Sequence, residues 1–239
     1  THLEVGKRIL EAGVHLLMEK PLADTLEASE ELVEEARRRG LTLGVGYIER
    51  FNPAVKAAER FIEKPMYIDA QRLAPFDPRG TDVDVITDLM VHDIDLALLY
   101  IREEPVALQC VGVPVLTDKI DIANARLEFP SGAVASLTAS RVSMQKYRKI
   151  RFFQRDAYIS VDLLKKGVEL VLRRDGDILP YFPDVPKTEE PIYLQDKAFI
   201  EALERGEKPP VSGEEALKTT RLAYRLVEDA LKRLHRAGF

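Results

Sequence analysis

The first quarter of the chain alternates between helical and strand-like spacing of apolar residues. A helical face ends at Gly13, a short apolar run covers 14–19, a second helical face covers 25–39, and another apolar run covers 41–47. The spacing predicts two helices and two strands in alternation. Helix–strand repeats with short connections are typical of a parallel sheet covered by helices.

A two-residue alternation of apolar and polar side chains dominates the centre of the chain. Ala125, Leu127 and Phe129, for example, alternate with polar residues. Such alternation predicts strands with one buried face, and short turns such as 130–132 would join them into a mainly antiparallel sheet. The apolar face suits covering helices, whereas the face rich in Ser, Thr and charge suits water, a substrate or another subunit. The predicted strands are 66–73, 106–116, 120–129, 133–142, 149–154, 157–162 and 168–173.

Capping residues indicate where the remaining helices begin. Asn52 and Thr87 each precede a helical pattern and are predicted N-caps. Ser212 and Glu215 have the spacing of a capping box for the last helix. Prolines within 180–191 predict an irregular segment. The predicted helices are 53–62, 88–102, 193–205 and 213–236.

These elements predict an α/β fold in two parts. Residues 1–47 would form the C-terminal half of a Rossmann-like parallel sheet, and residues 48–239 an α+β domain with a large open, mainly antiparallel sheet. Parallel sheets are covered on both faces, and two strands do not make a stable one. The Gly-x-Gly-x-x-Gly turn of dinucleotide-binding domains occurs nowhere in the sequence. We therefore expect the chain to begin partway through such a domain and to be inactive alone.

The composition of the chain excludes some classes of binding partner. The chain has a formal net charge of −5 and lacks the basic footprint that nucleic-acid binding requires. Its apolar runs are shorter than a membrane span, so we predict no association with a membrane. Cys110 is the single cysteine, which excludes internal disulfides and fits a reducing, cytoplasmic location.

Lys20 is the first candidate for chemistry. It follows the apolar run that ends before Glu19, and Pro21 comes next. In open α/β sheets, ligands bind at the carboxyl ends of strands, so a lysine at this position could contact a substrate. A solvated Glu-Lys pair at the end of a strand is an equal alternative at this point.

The second candidate lies in the helix predicted over 88–102. Asp88, His92 and Asp95 are four and three residues apart and would share one helical face. A carboxylate one turn from an imidazole orients the ring and favours its protonated form, as in an acid–base histidine. The alternative is a histidine that a helical neighbour satisfies on a polar surface. No second histidine and no cysteine lies nearby in sequence, so we predict no metal site.

Together these motifs resemble the glucose–fructose oxidoreductase / inositol dehydrogenase family (Gfo/Idh/MocA). Glu19-Lys20-Pro21 resembles the Glu-Lys-Pro motif of the family, Asp88-x-x-x-His92 resembles its helical acid–histidine motif, and 208–216 resembles the start of its last helix. The resemblance covers nearly the whole chain. It implies a dinucleotide-binding domain followed by an α/β domain with a large open sheet.

The resemblance also implies an activity. Members transfer a hydride between the nicotinamide of NAD or NADP and a secondary alcohol of a sugar, sugar nucleotide or cyclitol. His92 would take the hydroxyl proton, and Lys20 would polarise the oxygen that becomes a carbonyl. The implied catalytic residues are Lys20, Asp88 and His92. The implied cofactor-binding residues are His2, Glu19, Lys20 and Pro21. The implied substrate-binding residues include Tyr47, Arg50, Asp88 and His92.

Two segments favour a particular substrate. Residues 121–129 and 137–143 resemble members that oxidise a ring hydroxyl of UDP-N-acetylglucosamine. Basic residues on the neighbouring strands could meet a diphosphate, because the fork of an arginine suits phosphate oxygens. A solvated strand edge is the alternative. The residues are Arg141, which we predict as a substrate contact, and Lys146, Arg148 and Lys149.

A function of another class stays open. The protein could be a non-catalytic sugar-binding or assembly module that keeps the fold. The polar face of the open sheet predicts a homo-oligomer, a dimer or tetramer, because oligomers usually pair like surfaces.

Overall fold

Two sheets organise the fold, as the sequence predicts. The computed structural model describes residues 2–78, 80–186 and 190–238 and contains a two-stranded sheet and an eight-stranded sheet. The strands are β1 (Leu16–Glu19), β2 (Leu43–Gly46), β3 (Tyr67–Leu73), β4 (Ala107–Val113), β5 (Ile122–Glu128), β6 (Val134–Ser140), β7 (Tyr147–Gln154), β8 (Ala157–Asp162), β9 (Gly167–Arg174) and β10 (Asp177–Tyr181). The α-helices are α1 (His2–Glu11), α2 (Leu26–Arg38), α3 (Pro53–Glu59), α4 (Val91–Ile101), α5 (Pro191–Arg205) and α6 (Gly213–Arg236).

The small sheet consists of β1 and β2, which run parallel. Leu16 pairs with Leu43 and Glu19 pairs with Gly46, so the carboxyl ends of the two strands lie side by side. Thr25 caps the helix between them, because its hydroxyl oxygen accepts a hydrogen bond from the backbone at the start of α2. The small sheet therefore presents one edge at which the residues that follow both strands meet.

The C-terminal segments cover this small sheet. Gly44 forms an isolated bridge with Ser212, and the backbone N–H of Val45 donates to the carbonyl of Val211 at 3.1 Å. A Cβ on Gly44 would lie 2.7 Å from the ring of Phe199 in α5, so only glycine permits this approach. The first and last parts of the chain thus share one interface.

The large sheet has the strand order β10-β9-β8-β7-β3-β6-β5-β4. Its neighbours are antiparallel except for β3 and β6, which are parallel. The predicted alternation is confirmed: Ala125 and Leu127 are buried, whereas Asn124 and Arg126 are exposed. The helices α4 and α6 pack on the buried face, and the opposite face is open. The longest helix is α6, and neither it nor any other helix among the described residues is long and apolar enough to cross a membrane.

The structure departs from the predicted elements in the last third of the chain. The strand β10 occupies part of the segment predicted to be irregular, and Pro180 lies within it. Because β10 is an edge strand, a residue without an N–H is tolerated there. The helix α5 begins at Pro191, two positions earlier than predicted, since proline fits the first turn of a helix.

The helix predicted over 88–102 has an irregular start. A π-helical turn (Ile86–Met90) precedes α4. The prediction that Thr87 caps this helix is wrong. A carboxylate oxygen of Asp84 accepts the N–H groups of Ile86 at 2.8 Å and Thr87 at 2.9 Å, and it thereby takes the capping role.

Candidate active site

Lys20 lies at the carboxyl end of β1 and reaches the π-helical turn. Its ammonium donates to the carbonyl oxygen of Asp88 at 2.7 Å and to the Asp88 carboxylate at 3.0 Å. The Lys20 side chain is 19% exposed, so it is not part of a solvated Glu-Lys pair. An ammonium group has three N–H donors, and these two bonds leave one donor for a ligand.

His92 lies in the first turn of α4, close to the Lys20–Asp88 pair. Its ring meets the ring of Tyr47 edge-on, with centroids 6.1 Å apart. Its Nδ1 atom is buried and has no hydrogen-bond partner within the part of the chain that the structure describes. Since buried polar atoms are normally paired, this nitrogen is one that a bound ligand would satisfy.

The electrostatics of His92 differ from the prediction. Burial, followed by the charges of Arg72, Lys20 and Arg148, lowers the pKa of His92 well below its ordinary value. The expectation that Asp88 orients this ring and favours its protonated form is therefore wrong. The Asp88 carboxylate pairs with Lys20 instead, and the surrounding cations repel a proton on the ring. His92 is consequently neutral near pH 7.

The sequence predicts that Asp95 shares one helical face with Asp88 and His92, but the structure places Asp95 elsewhere. It is buried and accepts two hydrogen bonds from Arg50, from Nε and from Nη2, each at 2.7 Å. Arg50 also donates to the carbonyl oxygen of Pro210 at 2.9 Å. The predicted substrate contact by Arg50 is thus replaced by contacts within the protein, which fix α4 against the segment that leads into α6.

Arg72 is a neighbour of the site that the sequence analysis missed. It donates to both carboxylate oxygens of Asp93, at 3.0 and 2.9 Å, and to Glu49 at 2.8 Å. All three residues are buried. The signal was present in β3, where Ile68, Ala70 and Arg72 occupy successive inward positions. A lone arginine on an apolar face requires buried acidic partners.

The residues predicted to contact a cofactor gather at the carboxyl end of β1. His2 donates from Nδ1 to the carbonyl oxygen of Pro21 at 2.7 Å. Glu19 lies over Gly46, where a Cβ would come within 2.8 Å of its carboxylate, and it faces Gln195 of α5. The structure therefore brings His2, Glu19 and Pro21 to the same edge of the sheet as Lys20.

Tyr47 follows β2 and lies on the buried side of the edge formed by the carboxyl ends of β1 and β2. It is buried, and burial followed by the negative charge of Asp95 raises the pKa of its hydroxyl, so the hydroxyl stays protonated. A narrow cavity runs between Tyr47, Lys20 and Thr87 and is closed from the other side by α6. Sequence reasoning placed Tyr47 near the substrate, and the structure places it against the ring of His92.

Arg141 lies apart from these residues. Its guanidinium is buried and donates to the carbonyl oxygens of Gly80, at 2.9 Å, and of Val83. Its Nε lies 3.7 Å from Asp121. The sequence predicts that Arg141 contacts a diphosphate. In the structure its donors bind the loop that precedes the π-helical turn, so its observed role is structural. Among the described residues no group of three or more His, Cys, Asp or Glu side chains could hold a metal ion.

Comparisons with known proteins agree with this architecture. Residues 1–47 match the oxidoreductase family GFO_IDH_MocA with its NAD-binding Rossmann fold, and residues 65–160 match the GFO/IDH/MocA C-terminal domain. The structure superposes on UDP-N-acetylglucosamine 3-dehydrogenase GnnA from Acidithiobacillus ferrooxidans with a TM-score of 0.90 and 35% identity, over 96% of this chain and 75% of that one. The chain belongs to the Gfo/Idh/MocA family. The family resemblance and the fold class predicted from the sequence are thus confirmed.

The proteins that this chain resembles differ in the substrate that their names give. In sequence, the chain is 42% identical over 186 residues to UDP-N-acetylglucosamine 3-dehydrogenase from Acidithiobacillus ferrooxidans, and this match spans 59% of that protein. It is 28% identical over 249 residues to myo-inositol 2-dehydrogenase from Thermotoga maritima, covering 94% of this chain and 72% of that protein. Levoglucosan dehydrogenase in complex with NADH shares the fold, with a TM-score of 0.87 at 19% identity over 97% of this chain and 75% of that one.

The Gfo/Idh/MocA family implies a nicotinamide dinucleotide, and the residues present fit one end of it. Within the described residues, Lys20 has one unused N–H donor at the carboxyl end of β1, where such ligands bind, and the Nδ1 atom of His92 in α4 has no partner. The Gly-rich turn that would hold the phosphates is not among the residues of this sequence. His2, Glu19, Lys20 and Pro21 are therefore the residues that would adjoin the nicotinamide end.

Proposed function

We propose that this protein is a nicotinamide-dependent dehydrogenase that oxidises a secondary alcohol of a nucleotide sugar. The observation that carries the proposal is the convergence of a neutral, buried His92 with the Lys20–Asp88 pair at the carboxyl end of β1. A neutral imidazole can accept a proton, and a lysine with a spare donor can stabilise a developing carbonyl oxygen. Membership of the family supports the same class of reaction.

Each residue has a separate role in the proposed reaction. A bound nicotinamide supplies the acceptor for the hydride that leaves the carbinol carbon. His92 takes the proton of the hydroxyl group as the carbon–oxygen double bond forms. The third N–H of Lys20 donates to the same oxygen, where negative charge develops. Asp88 accepts the other Lys20 bond and holds the ammonium in place.

The nucleotide sugar is proposed on the similarity of this chain to UDP-N-acetylglucosamine 3-dehydrogenase from Acidithiobacillus ferrooxidans. Its 42% identity exceeds the 28% identity to the myo-inositol 2-dehydrogenase from Thermotoga maritima. We propose NAD as the cofactor because residues 1–47 match the NAD-binding Rossmann fold of the family. NADP is a second candidate that the same experiment examines.

The experiment measures reduction of NAD and NADP by the full-length protein with UDP-N-acetylglucosamine, myo-inositol and free hexoses. We expect turnover with the nucleotide sugar. Lys20→Ala and His92→Ala should each lower kcat by about 10²- to 10⁴-fold with folding intact. The matched controls are Lys64→Ala and His235→Ala, which change exposed residues away from the site and should leave kcat unchanged. Near-normal activity of both site variants would contradict the assignment.

The alternative of a non-catalytic sugar-binding module has a different outcome in this experiment. Such a module would bind the nucleotide sugar in calorimetry but reduce neither cofactor. The retained Lys20, Asp88 and His92 favour the enzyme.

We propose further that two copies associate through the open face of the large sheet. The rings of Tyr67, Phe153 and Tyr158 cluster on that face, with centroid distances of 5.4 and 5.1 Å between neighbours. Phe153 is 37% exposed although it is a large apolar residue. A second copy is the proposed occupant because identical faces pair about a two-fold axis in most oligomers.

A cytoplasmic location is proposed because the single cysteine, Cys110, is buried and free, as is typical of proteins in a reducing compartment.

A further inference from the structure

Arg148 is a half-buried cation for which the described residues provide no side-chain partner. Four other arginines in this part of the chain are buried or half-buried, and each is hydrogen-bonded to a carboxylate or to carbonyl oxygens: Arg50, Arg72, Arg141 and Arg151. The guanidinium of Arg148 makes no hydrogen bond and no salt bridge within residues 2–78, 80–186 and 190–238. It is the exception among the arginines that folding removes from water.

Arg148 lies at the same end of the large sheet as the candidate site. It pairs with Arg72 across β7 and β3, and paired residues on antiparallel strands point to the same face. Arg72 holds Asp93, the neighbour of His92 in α4. The charge of Arg148 acts on His92, and the charge of Asp88 acts on Arg148.

This position is unfavourable for an arginine unless a ligand completes it. Burial, followed by the adjacent charge of Arg72, lowers the pKa of Arg148. The carboxylates whose charges act on Arg148 are already engaged: Glu49 and Asp93 accept hydrogen bonds from Arg72, and Asp88 accepts one from Lys20. A cation that is partly desolvated beside another cation raises the free energy of the folded protein. An anion bound at this point would remove that penalty.

We propose that Arg148 binds the anionic group of the substrate, the diphosphate of a nucleotide sugar, and so selects charged sugars over neutral ones. The inference rests on the proposed function, because it concerns the substrate of the same site. The five N–H donors of a guanidinium form a fork that matches phosphate oxygens. Of the basic residues that the sequence analysis considered for a diphosphate, Arg148 then makes the contact, since the donors of Arg141 are engaged by the protein.

The test compares Arg148→Met with Arg155→Met in the full-length protein. Arg155 is an exposed arginine in the turn after β7 and serves as the control for the loss of charge. We expect Arg148→Met to raise KM for UDP-N-acetylglucosamine by about 10- to 100-fold, as for the loss of charge-assisted hydrogen bonds. KM for free N-acetylglucosamine and for the nicotinamide cofactor should stay within about twofold, and Arg155→Met should match the wild type on all three.

Calorimetric titration with UDP, which requires no turnover, separates this inference from the proposed function. Loss of UDP affinity in Arg148→Met supports the anion site even if the wild type reduces neither cofactor, and that result would contradict only the proposed function. An equal rise of KM for the charged and the neutral sugar would indicate a structural role and overturn the inference. A rise of KM for the cofactor alone would assign Arg148 to the dinucleotide phosphates and would also overturn the inference.

If Arg148→Met does not fold, the same titration is made with Arg148→Lys, which keeps the positive charge but loses the fork of the guanidinium. Unchanged UDP affinity in Arg148→Lys would then contradict the proposal.

Discussion

His92 precedes two aspartates of α4, Asp93 and Asp95, that are held by different arginines. Asp93 is bonded to Arg72, and Asp95 is bonded to Arg50. Both pairs are bidentate and buried, so the helical turn that follows His92 is fixed at two points. The ring itself has no such partner at Nδ1 within the described ranges. The position of the ring is therefore set by its neighbours in sequence, and burial, followed by the charges of the surrounding cations, disfavours its protonation.

The depressed pKa of His92 makes stability depend on pH. Below its ordinary value of 6.5, the unfolded chain takes up a proton at His92 that the folded protein does not, so stability is complete above that pH and falls below it. Between pH 7.5 and 5.5, urea unfolding should show a loss about 1 kcal/mol larger for the wild type than for His92→Asn. The exposed His235 offers a control, since His235→Asn should retain the wild-type slope. Equal slopes for the wild type and His92→Asn would contradict the buried, neutral state.

At the scale of elements, the ion pairs of Arg72 join three segments. Arg72 belongs to β3, Asp93 to α4, and Glu49 to the 3-10 turn (Ile48–Phe51) that follows the small sheet. The two carboxylates are buried and depend on one guanidinium for their charge balance. Removing that guanidinium leaves both without their cation, which is far more costly than the loss of an exposed ion pair.

Arg72→Met should therefore lower the free energy of unfolding by about 3–5 kcal/mol, measured by urea denaturation at pH 7. Arg126→Met is the matched control, because Arg126 forms an exposed pair with Glu128, and it should cost less than about 1 kcal/mol. A loss for Arg72→Met no larger than that of the control would show that the network contributes little to stability.

Some of the helices, strands and turns could be predicted from the sequence, and others could not. Local signals succeeded where one side chain or a two-residue period decides the structure, as for the Ser212–Glu215 capping box and the alternation in β5. The π-helical turn was missed because its cap, Asp84, precedes a stretch whose apolar spacing does not distinguish π from α geometry. The pairing of Lys20 with Asp88 joins residues far apart in sequence, and only the family resemblance anticipated that they act together.

The whole molecule has one covered and one open face on its large sheet. The covered face carries α4 and α6, and the open face carries polar residues with the aromatic cluster around Phe153. Long sheets with an exposed aromatic patch commonly bury it against another surface. The open face lies on the opposite side of the sheet from Arg148 and Arg72, so association there would leave the candidate site accessible.

Phe153→Glu should convert the proposed oligomer into a monomer, because it places a charge in the centre of the aromatic cluster. Light scattering with size-exclusion chromatography measures the change in mass. Met144→Glu is the control: Met144 is 95% exposed, lies outside the strands, and should leave the mass unchanged. A wild type that runs as a monomer at micromolar concentration would refute the association itself.

The bridge between Gly44 and Ser212 has a consequence for the order in which the protein is made. On the ribosome, β1 and β2 emerge well before Val211 and Ser212, which pair with β2. Until then the apolar surface beneath α5 and α6 stays uncovered, and partly folded chains with such surfaces are prone to aggregate. β1 and β2 therefore stay without this cover until all strands of the large sheet, which follow them in sequence, have been made.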